Sequence, residues 1–142
     1  MATNANITDA LKDSDWFYET DYLSAQAARS LLNQARAHRA NGSFRAARVG
    51  RANEVALVSD VRSDEIKWLE PSALQKPEAE LWSKLEDLRL DLNRELFLGL
   101  TDFEAHYACY QPGGFYRRHL DRFRSDDART VSMVIYLNED WV

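Results

Sequence analysis

The stretch DFEAHYACYQPGGFYRRHLD, residues 102–121, decides how the chain is read. From Phe103 to Tyr110 aromatic and small residues alternate in a texture that favours extended backbone, and from Phe115 to His119 that texture resumes. Between them, Gln111-Pro112-Gly113-Gly114 is a turn, because proline presets one backbone angle and glycine reaches conformations that other residues avoid. Val131 to Leu137, rich in β-branched and aromatic residues, predicts a further strand.

Upstream of this stretch the periodicity changes. Leu81, Leu85, Leu88, Leu92 and Leu96 fall on one helical stripe that begins near Pro77, tolerated in a first turn, and ends before Gly99. The stripe is expected to cover a sheet, and it lacks the sustained heptads of a partner zipper. Farther back, Ala27, Ala28, Leu31, Leu32 and Ala35 predict a helix from Ser24 to about Ala40, with Ser24 capping its start and Asn41-Gly42 stopping it. Short strands are predicted over Phe44 to Val49, Val55 to Val61 and Ile66 to Leu69, with Arg62-Ser63-Asp64-Glu65 turning between the last two. Helices followed by antiparallel strands make the expected fold class α+β. No repeat divides the chain, and 142 residues suit a single domain with one core.

Composition excludes several functions. Hydrophobic residues make up 45% and charged residues 29%, and no apolar run nears the roughly 18 residues of a membrane span. The polar start, Met1 to Thr8, has neither the basic cluster nor the apolar stretch of a targeting signal, so a cytoplasmic protein is expected. Cys109 is the only cysteine, which excludes an internal disulfide and a multi-cysteine metal site. A net charge of −5, with basic residues spread along the chain, argues against nucleic acid and for a protein or small-molecule partner.

The chemistry is concentrated at His119 and Asp121. Residues i and i+2 of a strand project from one face, about 6.5 Å apart along the chain, so an imidazole and a carboxylate would point into one space. That is how a strand supplies two members of a 2-His-1-carboxylate iron site with open positions for co-substrate and dioxygen. The spacing alone is weak: three histidines and 13 aspartates in 142 residues give roughly a one-in-four chance of an accidental His-x-Asp.

The surrounding residues strengthen it. From Asp102 to Asp121, through Arg129 to Tyr136-Leu-Asn-Glu-Asp-Trp141, the order resembles the prolyl 4-hydroxylase-like Fe(II)/2-oxoglutarate oxygenases, the group that includes bacterial and hypoxia-inducible-factor prolyl hydroxylases. Arg62 to Leu69 is similar to the family's substrate-side hairpin, and the resemblance runs from about Tyr22 to Val142. It implies a double-stranded β-helix (jelly-roll) core behind N-terminal helices, with helices and substrate-side strands over about 1–100 and the first core strands over about 101–142. It implies His119 and Asp121 as iron ligands, and Fe(II) with 2-oxoglutarate as cofactor and co-substrate. Ascorbate as the reductant that keeps iron divalent stays open. Tyr110 and Tyr136 match tyrosines beside the 2-oxoglutarate, with His106, Ala108 and Val134 lining the same pocket by strand alternation. Arg129 matches a basic residue at the substrate entrance, where Asp64 is expected to pair with it. The implied reaction is hydroxylation of a protein or peptide substrate, foremost a prolyl residue, with release of succinate and CO2.

Other readings stand beside these. Tyr110 and Tyr136 also suit an ordinary core, and His106 a structural position. His38 lies where a charged imidazole suits a helix C-terminus. Arg117, Arg118, Arg122, Arg124 and Arg129 form either a solvated face or a field that steers an acidic ligand. The chain is expected to end before the strands that in this family carry the second histidine ligand and the arginine for 2-oxoglutarate. Either the sequence is part of a longer enzyme, or a second copy completes the half-core in a homodimer. A non-catalytic interaction module with an open sheet edge is the alternative function.

Overall fold

The computed structural model describes residues 3–47, 63–115 and 130–140. Helix α1, Asn4–Asp13, has no counterpart in the sequence reading, which took this start as merely polar. Thr3 caps it by accepting from the Asn6 N–H, and Ile7 and Leu11, one turn apart, supply its buried side. Helix α2, Ala25–Ala40, follows the expected bounds: the Ser24 hydroxyl accepts from Ala27 N–H at 3.1 Å, and Gly42 leaves the helix at φ 79°.

Helix α3, Lys76–Leu96, carries the leucine stripe, with Pro77 in its first turn and a reciprocal capping box between Gln75 and Glu78. Leu88 and Leu92 are its buried centre. The helix was expected to run out at Gly99, but Phe97 ends it earlier in the left-handed region, φ 54°. This conformation is uncommon for a bulky residue. Asn93 holds the chain there, bonding the Leu100 carbonyl at 2.8 Å and the Leu100 N–H at 2.6 Å.

Three short strands form an antiparallel sheet in chain order: β1, Arg45–Ala46; β2, Glu65–Trp68; and β3, His106–Cys109. Ile66 stands opposite both Arg45 and Ala108, and Trp68 opposite His106. Glu65, expected in a turn, is a strand residue paired with Ala46 and Cys109. The predicted strand from Phe103 is shorter, starting at His106. Residues 131–137 make no strand pairing with another described residue, although Ile135 and Leu137 turn inward while Val134 and Tyr136 turn outward. Val55 to Val61 and the chain from 116 to 129 lie outside the described residues.

Two hydrophobic clusters hold these elements together. One joins Ile7 of α1, Tyr22, and Leu88 and Leu92 of α3; the other joins Leu31 of α2, Leu69 and Tyr107 of β3. Leu23 packs against both. Among the described residues, helices therefore cover one face of the sheet. No described helix is long and apolar enough to cross a membrane.

Candidate active site

The pleat of β3 decides which side chains the outer face presents. Tyr107, 8% exposed, is drawn into the cluster with Leu31 and Leu69, so its neighbours His106 and Ala108 must project the other way. Tyr110, just past the strand, stays 44% exposed. The register brings Trp68 onto the same face, its ring 4.6 Å from that of His106. On residues 131–137 the same logic turns Val134 and Tyr136 outward, 73% and 61% exposed, because Ile135 and Leu137 are taken by the clusters. The outer face of β3 thus offers an imidazole, a small residue and a phenol in a row, on a strand anchored by its opposite face.

Beyond Tyr110 the chain turns where expected. Gly113 adopts φ 80° and the Gly114 N–H donates to the Gln111 carbonyl at 2.6 Å. Phe115 then meets Ser63: the Ser63 N–H donates to the Phe115 carbonyl, and the Phe115 N–H to the Ser63 hydroxyl, both at 2.8 Å. Asp64, next to Ser63, is buried at 3% exposure, and its backbone carbonyl accepts from Ala47 N–H at 3.0 Å. His119, Asp121, Arg129 and the other arginines between 117 and 124 lie outside the described residues, so the expected Asp64–Arg129 pair has one described member. Among the described residues no group of three or more His, Cys, Asp or Glu could hold a metal ion.

Behind β3 sits a polar cluster that sequence reasoning missed. The Glu78 carboxylate, 1% exposed, accepts from the Gln75 N–H at 2.9 Å and pairs with His38 Nε2 at 2.9 Å. His38, expected only to suit a helix terminus, is instead tied to a carboxylate 40 positions away, and nothing local in the sequence signals such a pair. Burial alone would push the Glu78 carboxyl up. The bonds from Gln75 and His38, with the Tyr107 hydroxyl close by, outweigh it and hold the carboxyl below its ordinary value of 4.5. The Tyr107 hydroxyl is buried without a partner in good hydrogen-bonding geometry; burial first, then the nearby Glu78 charge, drive its pKa far above the usual 10. Helix α2, helix α3 and β3 therefore meet at one carboxylate.

Known proteins resemble this chain in sequence and in fold. Residues 105–142 match the 2OG-Fe(II) oxygenase superfamily. Egl nine homolog 1 from Homo sapiens is 30% identical over 130 residues, covering 85% of this chain and 29% of that protein. The Mus musculus protein of the same name is also 30% identical, with 31% of its length covered. The chain spans less than a third of the length of either. The crystal structure of a Pseudomonas putida prolyl-4-hydroxylase superposes with a TM-score of 0.86 at 39% identity, covering 99% of this chain and 70% of that one.

Proposed function

Since the chain belongs to the 2OG-Fe(II) oxygenase superfamily, in its prolyl-hydroxylase-like group, we propose that it carries the iron-binding strand and co-substrate face of an enzyme that hydroxylates a prolyl residue in a protein. In the balanced reaction a substrate C–H, 2-oxoglutarate and O2 become C–OH, succinate and CO2. Fe(II), when bound, would supply the redox chemistry that activates O2. The chain's own residues bind, orient and exclude water.

His119 as neutral imidazole and Asp121 as carboxylate would supply two of the three protein donors suited to Fe(II), a second histidine being the third, so that three positions would stay open. Tyr110 and Tyr136 present hydroxyls that hydrogen-bond the carboxylates of 2-oxoglutarate. Ala108 and Val134 are apolar walls small enough to admit it, and His106 closes the row toward Trp68. Asp64 and Arg129 pair at the substrate entrance, where the buried Asp64 carboxylate orients the arginine. A double-stranded β-helix core, of which residues from about 101 onward are the first strands, would cover the outward face as one domain. The observation that carries this reading is the outward pair His106 and Ala108 on β3, followed by exposed Tyr110 and a glycine turn that precedes His119-Leu120-Asp121 in sequence.

Succinate release measured with Fe(II), 2-oxoglutarate and proline-containing peptides tests the reading, with ascorbate present and then omitted. Turnover that depends on peptide and is lost in His119→Ala is expected. Succinate release at the same rate in wild type and His119→Ala would contradict it.

A further inference from the structure

Tyr107 is seated on the helix side of β3 by residues from α2, α3 and the flanks of β1 and β2. The His38 ring lies 5.9 Å from its ring at 45°, the Phe44 ring lies 6.4 Å away at 29°, and Leu31 and Leu69 complete the apolar contact. None of this packing needs a hydroxyl. A phenylalanine would fill the same space, whereas a buried hydroxyl costs stability unless it is used. The Tyr107 hydroxyl is buried without a partner in good geometry, close to a carboxylate that gives one oxygen to the Gln75 N–H and the other to His38. Each of those oxygens has a second lone pair, so Glu78 can still accept from Tyr107.

The seat matters because of what stands on either side of Tyr107 in the strand. His106 and Ala108 flank it and project the other way, so the phenol cannot shift without shifting them. His106 is opposite Trp68, with the two rings 4.6 Å apart, and Ala108 is opposite Ile66. Glu78 is itself fixed, as a member of the capping box that starts α3. We propose that Glu78 is a positioning residue for His106 and Ala108, acting through the Tyr107 phenol, with His38 holding both the carboxylate and the ring. The consequence for 2-oxoglutarate rests on the reading of those side chains as part of the co-substrate face; the placement of His106 against Trp68 does not.

Proton NMR of the full chain reads this placement directly, because the His106 ring protons lie in the ring current of Trp68. The chain has three histidines, so substitution of His106 identifies its signals, and Trp68→Leu gives their position without the indole. Glu78→Ala should move the His106 signals toward that position and raise the KM for 2-oxoglutarate about tenfold with kcat little changed, the worth of one hydrogen bond to a charged group. Glu78→Gln, which keeps an acceptor for the Gln75 N–H and for Tyr107, should stay near wild type. Leu92→Ala empties the other cluster from the same helix and lowers the unfolding temperature, yet its His106 signals and KM should match wild type. Unmoved His106 signals in Glu78→Ala overturn the proposal, as does an equal shift in Leu92→Ala, which would mean that any loss of stability displaces the strand. Shifted signals with an unchanged KM, where Tyr110→Phe raises the KM, overturn the part that reaches the co-substrate. If Tyr110→Phe leaves the KM unchanged as well, the reading of the face fails first, while the shifted signals still support the seat. Should Glu78→Ala not fold, His38→Ala withdraws the tie from the other side and carries the same expected shift; unmoved signals there overturn the proposal.

Discussion

Glu78 is a buried carboxylate on α3 that joins Gln75 at the start of that helix to His38 of α2 beside Tyr107 of β3. Removing this buried acceptor leaves the Gln75 N–H and the His38 ring without their partner, so Glu78→Ala should destabilise the chain by about 2 kcal/mol in urea unfolding. A carboxyl whose folded pKa lies below its ordinary 4.5 adds stability above that value and loses it as pH falls through the lowered folded value. Acid unfolding of wild type should therefore steepen below pH 4.5, and Glu78→Gln should flatten that part of the curve. An unaltered acid profile in Glu78→Gln would show that this carboxylate is not the titrating group. On the outer face, Tyr110→Phe should raise the KM for 2-oxoglutarate about tenfold, the worth of one hydrogen bond to a charged group. An unchanged KM removes Tyr110 from the co-substrate site. His119 and Asp121 are read as a candidate pair because strand period two needs only local spacing, and both lie outside the described residues. His38 and Glu78 are not legible in this way, because their pairing depends on how two distant helices pack.

At the scale of elements, caps and alternation were readable while partnerships were not. Ser24 and Gly42 bound α2 as expected, because capping is a local hydrogen bond and a local backbone angle. Ser24→Ala should cost about 1 kcal/mol of stability and lower the helical signal on heating; no change would mean that the cap is replaced by water without loss. The alternation of Tyr107 in and His106, Ala108 out follows from aromatic and small residues in sequence, and Tyr110 beyond them stays exposed. Helix α1 was missed because only Ile7 and Leu11 mark its buried side among polar neighbours, a signal too short to stand without the surface of α3 that receives it. The stop of α3 was misplaced for a similar reason. Gly99 is the residue that sequence favours, but the Asn93 side chain secures the turn at Phe97 from one helical turn back.

For the whole molecule, the two hydrophobic clusters meet at Leu23, and Ile135 and Leu137 of the same segment insert one into each. Elements so cross-linked should unfold together, with far-ultraviolet and aromatic near-ultraviolet signals tracing one transition. Two separated transitions would mean that the helices and the sheet are independent. The α+β class follows from the order of periodicities, yet the sequence does not reveal that the described helices take one sheet face while His106 and Ala108 point away from it. Those side chains give the iron-site reading its setting, and the reading itself can be measured directly. Fe(II) added anaerobically to the protein with excess 2-oxoglutarate should produce the visible charge-transfer absorption of the iron chelate, lost in both His119→Ala and Asp121→Ala. The same absorption in all three proteins, or none in wild type, would contradict the assignment of His119 and Asp121 as the iron ligands.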